Sequence, residues 1–161
     1  MPPSYRERLR AEGLALATSA ALAALVLVIV VSGAGAGLAR TLIVAAVALL
    51  VVAWLGPRSV HLALGRATQL FTPDIGGGEP RALWQFPALV AVMTAVVAKF
   101  AGAGNGLRLD LILLLLGLCQ AFVLERIVAV NESQTRRRYF RVEGSKMLGA
   151  TRVGFVQRRQ R

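Results

Sequence analysis

The chain has 161 residues, of which 56% are hydrophobic and only 17% charged, against roughly 25% charged in soluble domains. Its formal net charge is +11, from 19 Lys and Arg against 8 Asp and Glu, and the basic residues cluster outside the apolar runs. An ordinary soluble domain is thereby excluded, and the single cysteine, Cys119, excludes a disulfide framework and a CxxC metal or redox motif.

The length allows one compact domain of several membrane spans, and four apolar segments have the roughly 17 to 25 residues that a bilayer core requires. The first, at 14–31, follows Arg6, Arg8 and Arg10 and precedes an AGA triplet at Ala34–Ala36, a pattern shared with cleavable signal peptides. Its apolar core of about 18 residues exceeds the roughly 7 to 15 of such leaders, so it is expected as a retained span. The second, 38–55, ends on Trp54 and follows the short glycine-rich connection SGAGAG. Such a connection predicts a tight antiparallel hairpin.

Between 56 and 82 lies a middle loop in which Val60, Ala63, Leu64, Ala67, Leu70 and Phe71 recur at helical spacing. Pro57 is placed to open a helix there, and Pro73 with Gly76–Gly78 to end it. The expectation is a short interfacial amphipathic helix, apolar side towards the membrane, with Arg66 and Gln69 towards water. His61, the only histidine, reads as an interfacial residue of this helix, since a metal site needs several ligands and the chain has no Cys/His cluster. Ser59, His61, Asp74 and Glu79 share the loop without a clearly poised nucleophile and base, so no catalytic site and no cofactor are expected.

The third segment, 83–101, carries Trp84, Pro87 and Lys99, and the fourth, 107–130, carries Asp110, Cys119, Gln120, Glu125 and Arg126. The GAGNG turn between them places Lys99 and Asp110 at similar depth, and they are expected to form an intramembrane ion pair. Gln120, the strongly polar residue nearest the middle of a span, is expected to hydrogen-bond to a neighbouring helix. Small residues mark close helix contacts in lipid, which points to Ala17, Ala20, Ala21 and Ala24 on the first span and Ala88, Ala91, Ala95 and Ala98 on the third. Leu111–Leu116 is almost pure leucine and isoleucine and reads as a lipid-facing surface. Cys119 reads as a small buried hydrophobe.

The final segment holds nine basic residues, Arg136, Arg137, Arg138, Arg141, Lys146, Arg152, Arg158, Arg159 and Arg161, against one acid, Glu143. A juxtamembrane basic run is drawn to anionic headgroups at about 1 kcal/mol per residue near the surface, so these residues are expected to contact anionic lipid or a partner. Phe140 with Val142, and Val153 with Phe155, alternate at strand spacing and predict a small hairpin through EGSKMLGA. No nucleic-acid-binding module is present, so nucleic acid is not an expected partner.

The expected fold is therefore an all-α integral membrane protein: a four-transmembrane-helix bundle over 1–130 with an interfacial helix, and a basic cytoplasmic tail over 131–161. The expected function is a non-catalytic subunit anchoring or stabilising a larger membrane assembly, or through self-association a small oligomeric transporter or channel. Lys and Arg favour the cytoplasmic side of span ends. Arg6, Arg8 and Arg10, the loop residues Arg58, Arg66 and Arg81, and the tail all lie on one side, against Arg40 and Arg108 on the other. Both termini are thus expected in the cytoplasm of a plasma-membrane protein. Single cysteines at Ser4, Gly77 and Ser145 should resist an impermeant thiol reagent in intact cells while one at Asn105 reacts, and the opposite pattern would reverse the orientation.

Overall fold

The computed structural model describes residues 4–31, 38–70, 81–141 and 153–157. Helix α1 is Tyr5–Val30, α2 Leu38–Gly65, α3 Arg81–Ala101 and α4 Ala103–Leu118. A π-type turn, Cys119–Leu124, joins α4 to α5, Glu125–Thr135, as one continuous rod. Three short strands complete the fold: β1 Thr68–Gln69, β2 Arg137–Arg141 and β3 Val153–Gln157. Among the described residues, three helical stretches are long and apolar enough to cross a membrane, Tyr5–Val30, Ile43–Gly65 and Ala103–Thr135, while the apolar stretch of α3, Gln85–Ala101, is shorter.

α1 starts nine residues before the apolar run at Leu14, because Ser4 caps it. The Ser4 hydroxyl accepts from the Glu7 amide at 3.3 Å and the Glu7 carboxylate accepts from the Ser4 amide at 2.7 Å, a reciprocal capping box. The arginine-bearing turns are thus an extension of the first apolar helix.

α4 is the centre of the bundle and lies against α1, α2 and α3. Its closest approach is to α1, where two glycines meet. A Cβ on Gly117 would lie 2.6 Å from the Gly13 carbonyl oxygen and 2.7 Å from the Ala17 nitrogen, and one on Gly13 would lie 2.6 Å from the Gly117 carbonyl oxygen. Gly13 and Ala17 on α1, with Gly117 and Ala121 across from them, make a small-xxx-small contact on both helices. Farther along, Leu27 packs on Leu107, and Gly106 lets Ala98 of α3 approach.

These contacts correct three expectations. Of the α1 alanines, Ala17 and Ala20 are buried but Ala21 is exposed; on α3, Ala88, Ala91 and Ala95 face outward and only Ala98 is partly covered. α4 is not a lipid-facing helix, because Gly106 and Gly117 allow the approach that its leucines alone would forbid. α2 lays its packed face on α4 rather than on α1, so the first two helices are not a packed hairpin; their connection at 32–37 lies outside the described residues. The second connection is tighter than expected: Gly102 alone separates α3 from α4, at a φ of 92° that strongly favours glycine.

The separate surface helix is absent among the described residues. Residues 57–65 continue α2 straight through Pro57, and the residues meant for the membrane surface are used internally. Val60 and Leu64 are buried with Leu9, Val128, Tyr139, Val153 and Phe155 in the main apolar core. That burial offsets the backbone hydrogen bond Pro57 removes. Gln69 belongs to β1, and Phe71 lies outside the described residues.

The expected tail hairpin forms, with β2 and β3 antiparallel and Tyr139 opposite Phe155, and Phe140 opposite Gly154. Val142 and the turn EGSKMLGA lie outside the described residues. Sequence periodicity did not reveal the third strand: β1, just past α2, pairs parallel with β3, giving the order β1-β3-β2. The Leu70 amide extends this pairing, donating to the Phe155 carbonyl at 2.9 Å.

Gly117→Ala should destabilise the fold by about 1–3 kcal/mol, the range for overpacked sites. Gly104→Ala, where an added Cβ meets nothing within 4 Å, should be neutral or slightly stabilising because alanine favours a helix. Thermal unfolding in detergent checks the contrast.

Candidate functional site

Two polar constellations stand out from the apolar body, one near each pole of the bundle. Near the Gly102 turn, Asp110 of α4 is 0% exposed. The hydroxyl of Thr94 on α3, itself buried, donates to Asp110 Oδ1, while Oδ2 has no hydrogen-bond partner among the described residues. Lys99, the expected partner, is exposed, with its ammonium 5.7 Å from the Phe100 ring centroid. The reason is rotational. Val90, Thr94 and Ala98 recur every four residues and form the α3 face towards the bundle, whereas Lys99 is five residues past Thr94, about 140° round the helix at 3.6 residues per turn. Thr94, not Lys99, therefore meets Asp110.

An ionised carboxylate taken out of water without a partner costs several kcal/mol. The Thr94 hydroxyl offsets part of that cost at Oδ1. Thr94 went unnoticed in the sequence because a lone threonine in an apolar helix usually hydrogen-bonds its own backbone, as Thr18 does to Leu14 at 2.9 Å.

At the opposite pole, three elements, α1, α5 and β2, are tied together by charge and hydrogen bonds. Arg6 Nε donates to Glu125 Oε1, linking the start of α1 to the start of α5. Glu7 Oε1 accepts from Arg138 Nη2 at 3.3 Å, linking α1 to β2. On α5, Glu132 accepts from the Tyr139 amide at 3.0 Å, and Asn131 Oδ1 accepts from the Tyr139 hydroxyl at 2.9 Å. Nothing in the sequence pairs Glu125 with Arg6, since the two lie 119 positions apart.

The basic residues of the tail divide by what they touch. Arg136 is the left-handed cap of α5 at φ 52°. The Arg137 guanidinium stacks 4.2 Å over the Phe155 ring, and Arg138 approaches the Phe140 ring at 5.8 Å besides its bond to Glu7. Tyr139 and Phe155 meet edge to face with centroids 6.4 Å apart. Arg141 belongs to β2; Lys146, Arg152, Arg158, Arg159 and Arg161 lie outside the described residues, as do Asp74 and Glu79.

Gln120 sits half-buried in the π-type turn. No side-chain hydrogen bond joins it to a described residue, so it takes no part in either constellation. Cys119 is buried beside it. His61 is exposed on α2, the helix on which Arg58 stacks over the Trp54 ring at 4.1 Å. Comparison with protein families, with characterised proteins and with solved structures found no match.

Thr94→Val should destabilise the bundle by about 1–3 kcal/mol, the cost of orphaning a buried polar group. Lys99→Met should change stability by less than about 0.5 kcal/mol, as for surface sites without special contacts. Strong coupling between Lys99 and Asp110 in a double-mutant cycle by thermal unfolding would reinstate the ion pair.

Proposed function

We propose that the chain is a non-catalytic integral membrane subunit, a four-span bundle with both termini in the cytoplasm that anchors or stabilises a larger membrane assembly. In this reading α3 is the fourth span, since its 21 residues reach about 31 Å at about 1.5 Å per residue, close to the roughly 30 Å hydrocarbon core. The outward surface suits that solvent: Leu22, Ile29, Leu50, Val92 and Phe100 are all exposed.

The observation that carries the proposal is the packed sheet on the helix ends. A tail serving only as lipid-attracted charge has no need of buried Tyr139, Val153 and Phe155. The sheet turns the basic tail into a shaped platform fixed to α1, α2 and α5, suited to an acidic partner surface at the inner face of a plasma membrane. A small oligomeric transporter or channel is the second reading, favoured by Asp110 with its open oxygen inside the bundle.

Purification at native expression should recover the same larger membrane proteins in fixed stoichiometry, and removing this chain should lower their abundance. A lone homo-oligomer whose liposomes show proton or cation flux abolished by Asp110→Asn would replace the subunit reading with the transporter.

A further inference from the structure

Between the end of α2 and the α4–α5 rod lies an open groove of about 500 Å³, a volume typical of small-molecule sites. Its lining divides by chemistry: Phe122, Val123, Ile127 and Val130 are apolar, while His61, Arg126, Asn131 and Gln134 bear polar groups. The rod contributes this lining as one stripe, from Phe122 through Arg126 and Val130 to Gln134.

The deepest part of the lining, Phe122 and Val123, is apolar. About 20 residues of helix cover the roughly 30 Å hydrocarbon core. Counted from the Gly102 turn, that length ends near Phe122 and Val123, and Arg126 stands one turn beyond. On α2, Trp54 with Arg58 stacked on it marks the same level, as interfacial aromatics do. The groove therefore opens sideways where acyl chains give way to headgroups.

The groove's cation lacks a counter-charge among the described residues. Of the acids on α5, Glu125 is engaged by Arg6, and Glu132 faces the Tyr139 amide. Neither Arg126 nor His61 has a hydrogen bond or ion pair with a described residue. Asn131 spends its carbonyl oxygen on the Tyr139 hydroxyl, which leaves its amide N–H groups as donors. Arg126, His61 and Asn131 thus bring donors into a cleft whose remaining lining, Gln134 apart, is apolar.

We propose that this groove is a binding site for one anionic phospholipid, its phosphate held by Arg126 and His61 and an acyl chain lying along Phe122 and Val123. The site rests on the membrane-spanning reading and is independent of whether the chain serves as subunit or transporter. A guanidinium takes a phosphate in bidentate fashion, and a zwitterionic lipid offers that phosphate only with its own cation attached. Headgroup charge therefore discriminates at this site.

The test is native mass spectrometry of the full chain, delipidated in neutral detergent and titrated with phosphatidylglycerol or phosphatidylcholine. One phosphatidylglycerol should be retained in preference to phosphatidylcholine. Arg126→Gln should weaken its binding about tenfold or more, the loss of a charge-assisted contact, and Arg126→Lys should restore most of it. Thermal unfolding in phosphatidylcholine nanodiscs checks that Arg126→Gln keeps its fold; if it does not, His61→Gln serves as the second variant and should weaken phosphatidylglycerol alone. Wild-type binding in a folded Arg126→Gln protein would overturn the site, as would equal retention of the two lipids. Displacement of phosphatidylglycerol by millimolar inorganic phosphate would overturn the lipid in favour of a free anion. Failure of the chain to enter nanodiscs would overturn the membrane reading together with the site.

Discussion

The close contact of α1 with α4 at Gly13 and Gly117 is the constraint on which the rest of the structure depends. In a hydrocarbon solvent, apolar side chains gain little by leaving lipid for protein, so helices associate where their backbones can approach. Two facing glycines permit that approach at one level, and the rod that begins at Ala103 becomes the axis of the molecule. Everything else is hung on that axis: α3 through Thr94 and Asp110, α2 through Gly56 beside Leu124, and the sheet through α5.

The length of the rod divides the molecule into two parts with different physics. Its 33 residues extend about 50 Å at about 1.5 Å per residue, well beyond the roughly 30 Å hydrocarbon core. The excess falls at the basic pole, where the ends of α1 and α2 also gather. There water is near and a packed core is driven in the ordinary way, by removing apolar area from water. Leu9, Val60, Leu64, Val128, Tyr139, Val153 and Phe155 form such a core. A single chain thus carries an apolar bundle, with helices long enough to cross a membrane, and a small αβ unit, joined through continuous helices. The π-type turn at Cys119–Leu124 falls between the Gly117 contact and α5, where the packing changes from backbone approach to side-chain core.

Polar groups follow the same division. In the apolar bundle they are few among the described residues: Ser19 returns its hydroxyl to the Ala15 carbonyl at 2.6 Å, and Asp110 takes the Thr94 hydroxyl of the neighbouring helix. At the basic pole they bridge distant segments, and exposed pairs such as Glu7 with Arg138 contribute roughly 0.2–1 kcal/mol each. Their effect is positional more than energetic. They fix where the basic surface of the sheet stands relative to the helix ends, while the apolar core holds it there.

Composition and local periodicity alone determined the presence of helices apolar enough to cross a membrane, the approximate positions of the apolar segments, the clustering of the basic residues, and the strand pair in the tail. Each of those depends on residues within one helix or hairpin, where spacing in the sequence is spacing in space. The tertiary structure decided the rest. An all-apolar helix carries no periodic record of which face packs, so the central place of α4 and the outward turn of Ala88, Ala91 and Ala95 could not be read in advance. The continuation of α2 through Pro57 follows from a core built by residues more than sixty positions away, among them Val128 and Tyr139. Asp110 meets Thr94 because a helix turns about 100° per residue, and Arg6 meets Glu125 because the fold brings together two helix starts 119 residues apart.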